Sequence, residues 1–190
     1  MSSIDQKQKD LCKNFDRKSE KCLDIQSDPV TKEELEKQII AISKDLYKYN
    51  KHLFEIEVHE QCVAALFWHY FLNKYSEQYK GYDIDIEYSK AGENVKRIDD
   101  SKKYVRPDLI IHKRNCNKYN FAWIEFKTLW NNSDKRMNLD YDKLKKATST
   151  KCKIKYKYGI SVVLDKNPTL KWFTDGKEYK AQNESNDEKL

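Results

Sequence analysis

At 190 residues the chain suits one domain with a single core, although two small units would also fit the length. Charged residues make up 36% and aromatics 13%, a globular composition in which Tyr, Phe and Trp must supply much of the interior. Lys and Arg outnumber Asp and Glu by 37 to 31, and the resulting +6 matters mainly where it is concentrated. Four glycines leave no room for a Gly-x-Gly-x-x-Gly turn or a Walker loop, which argues against nucleotide cofactors bound in those ways. No apolar run approaches a membrane span and the first residues hold no apolar signal core, so the expectation is a cytoplasmic protein without membrane contact. The cysteines Cys12, Cys22, Cys62, Cys116 and Cys152 form no Cys-x-x-Cys pair and read as reduced thiols. His112 and Cys116 are four apart but lack the second pair that a zinc site needs.

Residues 1–28 are charged, without apolar periodicity, and read as a loose arm or marginal helix. Thr31 and Glu34 have capping-box spacing, and Leu35, Ile39, Ile42, Leu46 and Tyr49 follow as the stripe of an amphipathic packing helix. Val63, Leu66, Phe67, Tyr70 and Phe71 predict a second helix over about 57–79, closed by Gly81. Glu60 falls on its apolar side, where it either needs a partner or stays wet in the first turn. Residues 82–88 alternate apolar and acidic, a half-buried strand whose acids face solvent. The polar stretch 89–103 reads as a loop.

Two β-branched runs follow, Arg106-Pro-Asp-Leu-Ile-Ile-His112 and Phe121-Ala-Trp-Ile-Glu-Phe-Lys-Thr128, joined by a polar turn, and they predict adjacent antiparallel strands. Asp108 opens the first, just after Pro107. Period-2 alternation puts Glu125 and Lys127 on one face of the second and Ile124 and Phe126 on the other. A lone Glu-x-Lys also suits a solvated edge strand, but two carboxylates and a lysine at one end of a hairpin can hold a hard cation and orient water. Leu139, Leu144 and Ala147 predict a short helix with acids early and lysines late. From Lys143 to Tyr158 there are seven lysines (Lys143, Lys145, Lys146, Lys151, Lys153, Lys155 and Lys157) and no acid, a one-signed stretch that fits a polyanion's phosphates better than a merely solvated face, the alternative such runs carry. Residues 159–164 form the most apolar strand, expected at the sheet centre; 170–174 should be an edge strand and the tail from Ala181 is polar.

The order helix with Glu60, strand, strand with Pro107-Asp108, strand with Glu125-Phe126-Lys127, helix, strand resembles the PD-(D/E)XK nuclease superfamily. It looks closest to small uncharacterised bacterial members with an Arg-Pro-Asp strand, an Ile-Glu-x-Lys strand and an Asp-x-x-Lys-Leu helix, here Asp140 to Leu144. The resemblance covers roughly residues 57–165. It implies an α/β fold with a restriction-endonuclease-like core, a mixed central β-sheet flanked by helices (αβββαβ), preceded here by an extra N-terminal helix. The division that follows is an arm and packing helix over 1–56, a nuclease-like domain over 57–180 and a tail over 181–190.

Carried over, the resemblance makes Asp108 and Glu125 ligands of Mg²⁺ or Mn²⁺, with the Phe126 backbone carbonyl beside them and Glu60 contributing through water, Glu57 one helical turn earlier being the competing match for Glu60. Lys127 would be the catalytic lysine, and the lysines from Lys143 to Lys157 would meet nucleic acid, DNA favoured over RNA. A homodimer is a further expectation, since members of the superfamily often pair. The alternative is a catalytically silent module on the same scaffold that binds nucleic acid or a protein partner.

Overall fold

A computed structural model of the chain describes residues 27–91, 94–99, 104–114 and 116–180; the predicted arm (but for its last two residues) and the tail lie outside these. Helix α1 (Lys32–Tyr49) starts where Thr31 Oγ1 accepts the Glu34 amide at 3.1 Å. Glu34 does not complete the reciprocal box and instead accepts from Gln38 Nε2. The stripe Leu35, Ile39, Ile42 and Leu46 is fully buried, whereas Tyr49 is exposed. A single turn, α2 (Lys51–Glu55), leads to α3 (Glu60–Tyr75), which is shorter than predicted because the chain tightens into a 3₁₀ turn (Ser76–Tyr79). Gly81, at φ 87°, then reverses the chain.

The strands are β1 (Asp83–Ile86), β2 (Lys90–Ala91), β3 (Asn94–Val95), β4 (Leu109–His112), β5 (Ala122–Thr128), β6 (Tyr158–Leu164), β7 (Thr169–Thr174) and β8 (Lys177–Glu178), with helix α4 (Asp134–Thr148) between β5 and β6. Six form one mixed sheet in the order β1-β4-β5-β6-β7-β8. β4 and β5 are antiparallel as predicted, while β5 and β6 are parallel with α4 as their crossover. β2 and β3 form a separate ribbon inside the stretch read as loop. β7 is covered only at its end, where the two-residue β8 pairs with Phe173 and Thr174, and the rest of its outer side is the sheet edge expected of it; a strand as short as β8 leaves little pattern in a sequence.

Every residue of β5 is buried, and its alternation divides the interior in two. Ala122, Ile124 and Phe126 join α1, α3 and the 3₁₀ turn, so α1 belongs to the same core as the sheet. Full burial of Phe67 and Phe71 there contributes roughly 2–3 kcal/mol each by transfer. Trp123 faces the other way with Leu144, Ala147, Tyr156 and Phe173. α4 lies close on this second face because Gly159 has no side chain: a Cβ there would meet Leu144 Cβ and Thr148 Cγ2 at 3.1 Å. That close approach sets the height of Asp140 and Lys143 over β5.

Two sequence expectations need correction. Asp85 does not face solvent; it is 8% exposed and binds His112 Nε2 at 3.0 Å and the Arg114 guanidinium. Burial opposes its ionisation, but those two partners outweigh it and hold the carboxyl down at about 2. Cys62 and Cys152 are free thiols, but Cys116 is disulfide-bonded, so the thiols are not all reduced. Along 153–157 Ile154 and Tyr156 are buried while Lys153 and Lys157 are exposed, so the side chains alternate there without forming a strand. Among the described residues no helix is long and apolar enough to cross a membrane.

Lys96 enters the second core from the β3 end, 2% exposed. Its Nζ donates to Tyr156 Oη at 2.7 Å and lies 5.3–5.6 Å from the ring centres of Tyr88, Trp123 and Tyr156. Burial pushes its pKa down to about 7. Between pH 10.5 and 7 the unfolded chain therefore takes up a proton that the folded chain refuses, and this group removes stability as the pH falls through that window. Lys96→Met should be more stable than the parent at pH 7 and flatten its denaturation free energy between pH 7 and 10. An unchanged slope would mean that Lys96 is charged in the fold.

Candidate active site

The end of β5 gathers four carboxylates and two lysines from four elements. Asp108, in the extended segment before β4, accepts the Phe126 amide through Oδ2 at 2.8 Å. The β4–β5 register places Leu109 opposite Ile124, which sets Asp108 beside Glu125. Glu125 is 2% exposed on the α4 side of the sheet. Its Oε1 accepts from Trp123 Nε1 at 2.5 Å and its Oε2 from Lys143 Nζ at 2.6 Å.

Lys127 joins the two sides of the site. Its Nζ donates to the Phe126 carbonyl at 2.9 Å and to Glu60 Oε1 at 3.0 Å, and stands 2.8 Å from Asp140 Oδ2. Glu60 arrives from the first turn of α3, with its second oxygen held by Asn131 Nδ2 at 2.9 Å. Asp140 Oδ2, 2.8 Å from the Lys127 ammonium, is held to it by charge at hydrogen-bonding distance. Asp140 Oδ1 lies 3.3 Å from Lys143 Nζ, one helical turn along α4.

The electrostatics follow from burial. Desolvation raises the Glu125 pKa first, and the neighbouring Asp108 charge raises it further against the pull of Lys143. Asp108 is raised too, again chiefly by desolvation, although the Phe126 amide, Lys127 and Lys143 oppose this. Burial presses on Lys127 and Lys143 in the opposite sense, but Asp140 with Glu60, and Glu125 with Asp140, overcome it and keep both ammonium groups charged. With all groups ionised, four carboxylates face two lysines, an excess of two negative charges. Proton uptake by Asp108 and Glu125 relieves that excess, and so would one divalent cation.

The predicted site residues Glu60, Asp108, Glu125 and Lys127 are thus brought together, and Glu60 rather than exposed Glu57 occupies the site. Among the described residues no three His, Cys, Asp or Glu side chains form a ready cage for a metal; Lys127 and Lys143 stand between the carboxylates. A hard cation of the Mg²⁺ type takes only one or two carboxylates and keeps water, so Asp108 and Glu125 suffice as its side-chain donors.

Lys143 was expected on a polyanion-binding face and instead closes the site. Sequence reasoning missed the placements of Asp140, Asn131 and Trp123. Trp123 carried a usable signal, because a residue two before Glu125 on a strand shares its face. Asp140 and Lys143 are three apart on one helix face, but only the crossover from β5 to β6 aims that face at Glu125. No protein-family model, curated protein or solved structure matches the chain, so its chemistry has to be argued from this cluster of charges alone.

Proposed function

We propose that the chain is a divalent-metal-dependent nuclease with a restriction-endonuclease-like core, hydrolysing phosphodiester bonds of nucleic acid, with DNA favoured over RNA. The observation that carries this reading is the charge balance at the end of β5: two excess carboxylates, both held toward neutrality, beside a lysine on the same strand face. Mg²⁺ or Mn²⁺, when bound, supplies a lowered water pKa and offsets charge on the phosphate. Asp108 and Glu125 would hold it, with the Phe126 carbonyl within the same cluster.

Lys127 is positioned by Glu60 and Asp140 to keep its proton and to direct it at the attacked phosphate or the attacking water. Glu60 and Asn131 fix the far side of that lysine. Lys143 neutralises Glu125 in the resting state and can turn to a phosphate oxygen when a cation takes its place at the carboxylate.

A second reading has its own observation. Each carboxylate of the cluster has a lysine, indole or amide against it, which also suits a silent scaffold that binds nucleic acid or a protein without cutting. The two separate in one experiment. Purified protein is incubated with single- and double-stranded DNA and RNA, with Mn²⁺, with Mg²⁺ and with EDTA, while calorimetry follows metal uptake. The nuclease reading expects cleavage only with metal, and metal uptake that Glu125→Gln abolishes. Intact nucleic acid together with no carboxylate-dependent uptake supports the silent scaffold.

A further inference from the structure

The seven lysines between Lys143 and Lys157 share a sign but not a role. Lys143 is bound into the charge cluster at Glu125. Lys155 pairs with Asp175 at 2.6 Å, and Lys157 is tied to Asp28. Lys146, Lys151 and Lys153 instead converge around an open pocket of about 500 Å³ beyond the C-terminal end of α4. Arg97 reaches the same pocket from the segment after β3, outside the lysine run altogether.

Among the described residues, four cations line this pocket against the one carboxylate of Asp99, which engages Lys146 at 2.9 Å. Among the described residues, Arg97, Lys151 and Lys153 have no carboxylate partner. The carbonyl end of a helix carries only about half a negative charge, too little to account for three unpaired cations. Ile98 and Cys152 add an apolar floor, which suits a sugar between phosphates better than bare solvent. The pocket also lies in line with the proposed active site: Lys146 follows Lys143 by one turn on the same face of α4, roughly 5–6 Å between Cβ atoms. A step of that size is comparable to the distance between neighbouring phosphates of one strand.

We propose that Arg97, Lys146, Lys151 and Lys153 form a phosphodiester subsite that holds the substrate strand next to the bond placed at Glu125 and Lys127. The strand runs along α4 from its middle turn to its C-terminal end. The continuity with the scissile bond rests on the nuclease reading; the pocket's affinity for a nucleic-acid backbone does not.

The test is fluorescence anisotropy with a fluorescein-labelled oligonucleotide, single-stranded and as its duplex, in EDTA so that nothing is cut. The variant Arg97→Glu/Lys151→Glu/Lys153→Glu is compared with Lys37→Glu/Lys44→Glu/Lys166→Glu, which makes the same change in net charge at exposed positions elsewhere. Thermal melting of both variants confirms that they are folded. The pocket variant should bind at least about tenfold more weakly, with the slope of log K against log salt shallower by about two to three, while the control keeps the wild-type slope.

Equal losses in the two variants would reduce the effect to net charge and overturn the subsite. Saturable binding of inorganic phosphate that the pocket charges control, with oligonucleotide binding unmoved, would assign a free-phosphate site and also overturn it. Pocket-dependent binding without cleavage under Mg²⁺ or Mn²⁺ keeps the subsite and ends the nuclease reading. Cleavage with pocket-independent binding does the reverse.

Discussion

Lys127→Met should destabilise the fold by about 3 kcal/mol and lower the proposed hydrolysis rate by roughly a hundredfold to a thousandfold. The two effects share one cause. The Lys127 ammonium is the cation between Glu60 and Asp140, whose side chains are 15% and 10% exposed. Without it, two poorly hydrated carboxylates face each other, and removal of one partner from a buried ion pair costs more than the pair itself contributes. Urea denaturation of Lys127→Met, Asp140→Asn and the double variant measures this directly. The double variant should recover part of the loss, because the carboxylate stranded by the first change is then neutral. The rate effect is independent of that repair: Lys127→Met/Asp140→Asn should regain stability without regaining cleavage, and calorimetric metal uptake should persist in both. A double variant that cuts as fast as the parent would remove Lys127 from the chemistry and leave it as an internal counter-ion.

The contrast between what local pattern conveys and what only the fold conveys is sharp in this chain. The stripe from Leu35 to Leu46 and the alternation along 122–128 are periodic signals, and burial imposes both periods wherever they occur. Those signals were enough to place Asp108, Glu125 and Lys127 near one another, since a tight antiparallel pair brings together residues close in sequence. Asp85 illustrates the opposite case. Its strand alternates cleanly, and an acid on the polar face reads as solvated, but His112 and Arg114, from the end of β4 and the turn after it, bind its carboxylate and leave it buried. Nothing within seven residues of Asp85 announces these partners. Lys143 was misread for a related reason: a lysine run has one sign along the chain, whereas helix α4 turns successive lysines to different neighbours, and a carboxylate 18 residues away claims one of them. Tertiary partners decide the role of a charged side chain, and sequence spacing reports only those a few residues away.

Glu125 offers the most discriminating measurement, because protons and the proposed divalent ion would compete for the same buried carboxylate. In the folded, metal-free protein its pKa stands above the ordinary value, so the folded state holds a proton that the unfolded state gives up. The stability this group contributes is therefore fully present below the unfolded pKa, about 4.3, and is lost as the pH rises through the raised folded value. Asp108, raised in the same way, adds to the fall. Asp85 acts in a separate window, its contribution disappearing only as the pH drops toward 2. Lys96 acts in the opposite sense above pH 7 and His112, held below its ordinary value by burial, does so below pH 6.5, so the Lys96→Met background isolates the carboxylates above that point. In that background the metal-free protein should lose stability steadily from pH 6.5 to pH 8. Mg²⁺ or Mn²⁺ at a hundredfold excess over Kd should return about 2.7 kcal/mol at pH 8, and markedly less at pH 5, where protons hold the site. Glu125→Gln removes the ionisation altogether: it should flatten the pH dependence, abolish the metal-induced rise and stop cleavage, while leaving an acceptor for Trp123 Nε1. If the variant retained the full metal response, the cation would be bound elsewhere and the charge balance at the end of β5 would lose its chemical meaning.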